Sequence, residues 1–456
     1  MRQAQAMAGA MSRPALVVWL ASGLALVGCG DLFGPSKSVT TVTVVLPAGL
    51  LVGDTVRATA VATDASGKTV NKPATWRSSN PGAVSVDTLG RVIGKVLGGQ
   101  ATIFADVEGK EGSATVSVAD DQRFGYALAE QPTAPGPYSP DAAYQYNSSG
   151  GPISVTRDSA GTYSVRFAGL GRGPGQRDNV QVTGYGGAAA VYCKPRPWDA
   201  SGPDLVVEVR CWSAPDFVLA DSRFTVLVVG ARVFGPSTPV GFALSFADTG
   251  AVLLDTSATA RNSTSGDIEV GRVGVGNFAV GFPGLGKASA GGPVAIQIVP
   301  VGQGARRCGV AAVDPANAGI GLYCVTSGGG RGDSPFSVLW FTRGRPALRF
   351  GYASAQNLAS TVDYSPDPRF SLNSSGGAIA ARKTGVGQYQ VVFGGLARPA
   401  GATETVQISP LLGSGEHFCA ITSWGNTGAN DLTVTLVCFD PTGTPADAQF
   451  NLLVVQ

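Results

Sequence analysis

Chemistry in this chain would have to come from seven cysteines, one histidine and six tryptophans, since only 14% of its 456 residues are charged. His417 is the sole imidazole, so a His-based metal centre or multi-histidine acid–base site lacks material. A Ser–His–Asp arrangement would run through His417, yet the repeat described below puts Val191 and Arg306 or Arg307 near that place in its other copies. No Gly-x-Ser-x-Gly elbow opens a helix. The acids Glu208, Asp267 and Glu404 do not recur between copies. Asp363 and Asp367 flank a proline-rich turn with no Asp-x-Asp-x-Asp calcium loop. The expectation is a non-enzyme with no cofactor and no metal.

Six of the cysteines form a pattern: Cys193 with Cys211, Cys308 with Cys324, and Cys419 with Cys438. The pairs return at intervals of about 110–115 residues. Each sits in an apolar or aromatic stretch, as in Tyr192-Cys193, Tyr323-Cys324 and Phe418-Cys419. Two ligands per copy are too few for zinc. A unit that carries its own pair predicts one bridge per copy, between neighbouring strands, worth about 3 kcal/mol through loop closure. Such bridges predict an oxidising compartment.

Aromatics supply the binding candidates. Trp198 and Trp212 flank the first cysteine pair, Trp424 lies in the equivalent loop of the third copy, and Tyr138 and Tyr364 stand in Tyr-Ser-Pro turns. They read either as stacking platforms for sugar rings or as caps on small cores beside the bridges, and buried aromatics dominate small-domain energetics. Arg331-Gly332-Asp333-Ser334-Pro335 matches an integrin-recognition loop. Asp333, however, aligns with Asp221 and Asp447, which open the last strand of the other copies, where a short acid bonds local backbone amides.

The elements that must position these residues are strands. Gly161-Thr162-Tyr163-Ser164-Val165-Arg166-Phe167 returns as Gly276-Asn277-Phe278-Ala279-Val280-Gly281-Phe282 and as Gly387-Gln388-Tyr389-Gln390-Val391-Val392-Phe393. Asn147-Ser148-Ser149-Gly150-Gly151 likewise has counterparts from Asn262 and Asn373. Three homologous units follow: residues 120–232, 233–343 and 344–456. Tyr163, Val165 and Phe167 share one face, so one side packs and the other meets water. The period of two, with no helical period, predicts an antiparallel sandwich of roughly eight short strands. A small barrel is the alternative.

Residues 38–119 also alternate with period two, as in Val42, Val44 and Leu46, or Ala101, Ile103 and Ala105. Gly53-Asp54, Trp76 with Ser78-Ser79-Asn80-Pro81, and Gly98-Gly99-Gln100-Ala101-Thr102-Ile103 resemble the bacterial Ig-like group 2 family in spacing and order. That resemblance implies an Ig-like sandwich of the kind used as a spacer or adhesive module. Ahead of it, Arg2 and Arg13 precede an apolar run from Pro14 to Val27, about 21 Å as a helix and too short to span a bilayer. The run fits a signal peptide over residues 1–28. Leu26-Val27-Gly28-Cys29 resembles the bacterial lipobox, which implies acylation of Cys29 and a tether over residues 29–37.

The fold class expected is therefore all-β: one Ig-like sandwich, then three disulfide-stapled antiparallel β domains. With 33 Lys+Arg against 31 Asp+Glu, the chain lacks the basic excess of a nucleic-acid binder. The expected function is that of an exported envelope lipoprotein, held to a membrane by its lipid, whose tandem domains bind a surface polysaccharide or protein. A purely structural envelope component is the alternative, and a secreted hydrolase the least favoured.

Overall fold

The computed structural model describes residues 38–456 except 97, 120, 188, 234–237, 247–250, 254–256, 290–291, 343–347, 412–415 and 429. Cys29, with the signal and tether expected around it, lies outside the described residues.

The architecture is nearly all β, and among the described residues no sheet closes into a barrel. In the N-terminal sandwich a sheet of Gly49–Leu51, Lys110–Ala119, Gln100–Val107 and Thr75–Ser78 packs with two three-stranded sheets. Ile103, Ala105, Val84, Val92 and Val116 fill its core, with Trp76 packed half-buried against them. Trp76 is thus a core residue.

Each repeat is a sandwich of an inner and an outer sheet. In the first, the inner strands run Gln145–Asn147, Phe124–Ala129, Arg223–Gly230, Asp178–Tyr185, continuing at Tyr185 into the outer strands of repeat 3 as one eight-stranded sheet. The outer strands run Ile153–Ser159, Thr162–Phe167, Leu205–Ser213, Val191–Pro195. The second repeats this with Ala260–Asn262, Val240–Ser245, Phe336–Phe341, Ala295–Pro300 inside. Outside lie Ile268–Gly274, Asn277–Gly281, Gly319–Val325 and Arg307–Asp314. The third has Leu372–Asn373, Phe350–Ala355, Phe450–Val455 and Thr405–Pro410 inside. Its outer strands are Ile379–Gly385, Gln388–Phe393, Asp431–Phe439 and Phe418–Thr427.

The expected one-sided burial holds for the outer strand Thr162–Phe167, where Tyr163, Val165 and Phe167 point inward while Arg166 is exposed. Inner strands differ. Phe124–Ala129, Phe336–Phe341 and Phe450–Val455 are buried at every position. The cause is that the three inner sheets face one another. Tyr126, Leu227, Phe242, Leu339, Phe341, Tyr352 and Leu453 from all three copies merge into one core distinct from the cores inside the sandwiches.

Equivalent hydrogen bonds close this arrangement into a ring. Asp178 N–H donates to the Ala258 carbonyl at 3.2 Å, Val294 N–H to Arg369 at 2.9 Å, and Glu404 N–H to Ala143 at 3.1 Å, taking repeat 1 to 2, 2 to 3 and 3 to 1. At the other end of the same strands, Gly186 N–H bonds the Ile421 carbonyl at 2.7 Å and Gly302 N–H bonds Pro195 at 3.1 Å. Leu411 completes the set by bridging to Val310. The molecule is a pseudo-threefold trimer made from one chain.

A buried polar set crosses the interfaces. Thr183 Oγ1 donates to Gln407 Oε1 at 2.8 Å, and Gln407 Nε2 donates to Thr225 Oγ1 at 3.0 Å. Ser409 Oγ donates to Gln297 Oε1 at 2.7 Å, and Asn179 Nδ2 to Ser337 Oγ at 2.8 Å. Buried amides and hydroxyls are costly unless paired, so this set favours one way of docking the copies.

The N-terminal sandwich docks on one end of the ring. Leu51, fully buried, enters the shared core. Asp54, 2% exposed, receives Arg261 at 2.9 Å, Arg177 at 3.4 Å and Arg232 at 3.8 Å. Gly49 lies so close to Pro174 and Gly175 that a Cβ on it would stand 2.4 Å from the Pro174 carbonyl carbon. Gly175 holds φ +76°, which glycine adopts without penalty.

Candidate functional site

The three expected bridges are formed, each inside its own repeat: Cys193–Cys211, Cys308–Cys324 and Cys419–Cys438. In every case the partners sit directly opposite on the adjacent outer strands. This geometry follows from the register of the repeat, which sets both cysteines on the face turned toward the sandwich core.

Trp198, Trp212 and Trp424 are 8%, 4% and 8% exposed, so none is a surface platform. Trp198 donates its indole N–H to Asp178 at 2.5 Å. Trp212 stacks on Tyr192 with ring centres 5.5 Å apart. Trp424 is wedged edge-on between Tyr144 and Tyr185 of repeat 1, at 5.3 Å and 5.2 Å. Val294 of repeat 2 takes the place of Asp178 and Glu404 in the ring of interface bonds, and Val313 faces Ile320 there as Trp424 faces Val434. The acid and indole thus give way together to two apolar residues, as expected of packing partners. Tyr138 and Tyr364 are half-buried, bridging to Val155 and Ala381.

Asp333 of the Arg-Gly-Asp sequence is held inside its repeat. It accepts from the Gly276 N–H at 2.7 Å and pairs with Arg272 at 2.9 Å, while the Arg331 guanidinium lies 4.8 Å from the Tyr323 ring centre. Asp221 does the same with Gly161 and Arg157, and Asp447 with Gly387 and Lys383. These partners hold all three carboxyls below the usual range, although burial opposes them and is the largest influence on Asp447. In each repeat this aspartate, placed just before the last strand, holds the glycine N–H of the outer hairpin's turn. His417 is half-buried, which pushes its imidazole below the ordinary value despite the nearby Asp440. No hydrogen bond joins it to a serine or a carboxylate among the described residues.

At the ring end away from the N-terminal sandwich, Tyr192, Arg307 and Phe418 hold equivalent places just before the first cysteine of each bridge. Tyr192 and Phe418 lie 5.7 Å apart, and Arg307 lies 5.3 Å from Phe418. They roof a cavity of about 40 Å³ lined by Cys193, Cys308 and Cys419, room for about one or two waters. Beside it Lys194 is fully buried, its Nζ 5.2 Å from the Trp212 ring centre and without a hydrogen-bond partner among the described residues. Burial, with Arg306 and Arg210 nearby, pushes that amine down to about 7.

A hollow of about 500 Å³ opens on repeat 1 near the N-terminal sandwich, lined by Gln122, Arg123, Tyr146, Ser148, Gln176 and the Gly169–Gly171 backbone among others. Tyr146 is 42% exposed, with its ring stacked at 5.8 Å on Tyr126. The sequence reading missed this site because Tyr146, in a three-residue strand, stands just ahead of the recurring Asn147–Gly151 motif and is not itself repeated: Arg261 and Leu372 hold its place. It missed the interfacial amides too, although Val-Gln-Val, Ile-Gln-Ile and Val-Gln-Ile at 180–182, 296–298 and 406–408 carry the signal: one polar residue recurring inside an apolar strand.

No family model matches the chain, and no curated protein does. Among solved structures, it is similar to human protocadherin-24 EC1-2 at 10% identity and a TM-score of 0.15, over 42% of this chain and 97% of that one.

Proposed function

We propose that this is an exported, non-catalytic envelope lipoprotein, anchored through Cys29, whose N-terminal Ig-like group 2 module carries a single head of three fused repeats for binding a surface polymer or protein. The observation that carries the reading is the closed ring of three β-sandwiches, each with its own disulfide. Disulfides form and persist outside the reducing cytosol. A head closed by non-local sheet contacts and bridges suits an exposed position, where unfolding is not repaired. The three copies act as one body, so avidity among independent beads, an attraction of tandem repeats, gives way to one composite surface. A head of this kind would stand off the membrane on its N-terminal module.

Mass spectrometry of detergent-extracted protein is the test. An N-terminal peptide starting at Cys29 with two or more acyl chains is expected, and Cys29→Ala should release the protein from membranes. An unacylated N-terminus on the envelope-extracted chain would overturn the anchor.

A further inference from the structure

We propose that the hollow beside Tyr146 is a carbohydrate site that takes a neutral hexopyranose unit; this deepens the surface-binding reading and rests on it. A pyranose ring offers a patch of C–H groups on one face and a rim of hydroxyls. Its complement is an aromatic face bordered by uncharged donors and acceptors. Among the exposed large apolar side chains described, the aromatic ones are Tyr146 and Phe246, and Tyr146 lines the hollow. Tyr126 covers one face of the Tyr146 ring, and Phe124 packs at 5.8 Å with a 50° tilt. The ring is therefore held in place before any ligand arrives, which lowers the entropy cost of binding.

The border is polar and uncharged. Ser148 Oγ accepts the Phe124 N–H at 2.9 Å, which leaves the hydroxyl proton for a ligand oxygen. Gln122 and Gln176 also line the hollow, Gln176 Oε1 accepting the Gly173 N–H. The neighbouring Gly169 and Gly171 N–H groups are taken by Asp204 and Pro203, so Ser148 is the donor this border offers. Arg123 is the charged residue among those lining the hollow, and it is buried and already held by Asp121 at 2.8 Å and Asp178 at 3.1 Å. No unsatisfied charge is offered to an anionic sugar. The other copies act as internal controls. Pairing with Phe242 and Tyr352 puts Arg261 and Leu372 where Tyr146 pairs with Tyr126. Arg261 turns to Asp54, and Leu372 has no ring. One such site follows among the described residues.

The test uses the full chain with cellohexaose, maltohexaose and chitohexaose, followed by saturation-transfer NMR and titration. One of these should bind, with transfer from Tyr146. Tyr146→Ala should weaken binding about tenfold, and Leu372→Ala should not. Tyr146→Leu keeps the apolar volume without the flat face, and should also lose affinity at an unchanged melting temperature. Absence of binding to all three sugars, or affinity unaffected in both Tyr146 variants, overturns the site. Retained binding to whole cells in those variants would overturn the site while leaving the surface-binding reading standing. No binding to cells by the parent chain overturns both.

Discussion

Lys194 stands in surroundings far from water: fully buried, with two arginines nearby and its amine over an indole. Its amine sits at about 7, against roughly 10.4 in an unfolded chain. The folded state binds this proton less readily than the unfolded state, so the residue opposes folding by an amount that depends on pH. Above the unfolded value the effect vanishes. It grows as pH falls toward 7 and is constant below. Lys194→Met should raise the denaturation midpoint at pH 6, with an advantage that shrinks as the pH approaches 10. A midpoint difference independent of pH would contradict this. The tryptophans illustrate the opposite case, in which ordinary packing accounts for a suggestive residue. Trp198, Trp212 and Trp424 were legible as neighbours of the bridges, but sequence alone left open whether their rings faced solvent, because Trp212 and Trp424 are buried against other copies and Trp198 against an acid that its motif does not mark.

At the scale of elements, the outer strands were the legible ones. Their alternation, hairpin glycines and paired cysteines are local, and a local pattern survives in the sequence. The inner strands were not legible in the same way. Strands such as Phe450–Val455 read as ordinary core strands, yet they bury a second face against other copies some hundred or more residues away. Their polar members show what fixes that docking. Thr183→Val leaves Gln407 Oε1 without its donor and the Ile408 N–H without its acceptor. A cost of about 1–3 kcal/mol is expected for unpaired buried groups. Hydrogen exchange should quicken in Thr405–Pro410 of repeat 3 as well as in Asp178–Tyr185 of repeat 1. Quickening confined to repeat 1 would mean that the strands are not coupled.

At the scale of the molecule, three sandwiches and a fourth module share buried surface, so their stabilities are linked. Asp54 joins the fourth to the ring by facing three arginines from two repeats. Asp54→Ala removes the carboxylate that these three buried cations share, at a cost of up to about 3–5 kcal/mol. Limited proteolysis should then cut near residues 119–122 faster than in the parent, releasing an intact three-repeat body; an unchanged rate would show that the docking does not depend on this acid. Small-angle X-ray scattering of the mature chain tests most directly whether the repeats form one ring. A packed body of the described length should give a radius of gyration of about 22 Å and a single-peaked distance distribution. A value above about 35 Å with several maxima, as from four domains strung on linkers, would contradict the closed ring and the single head built on it.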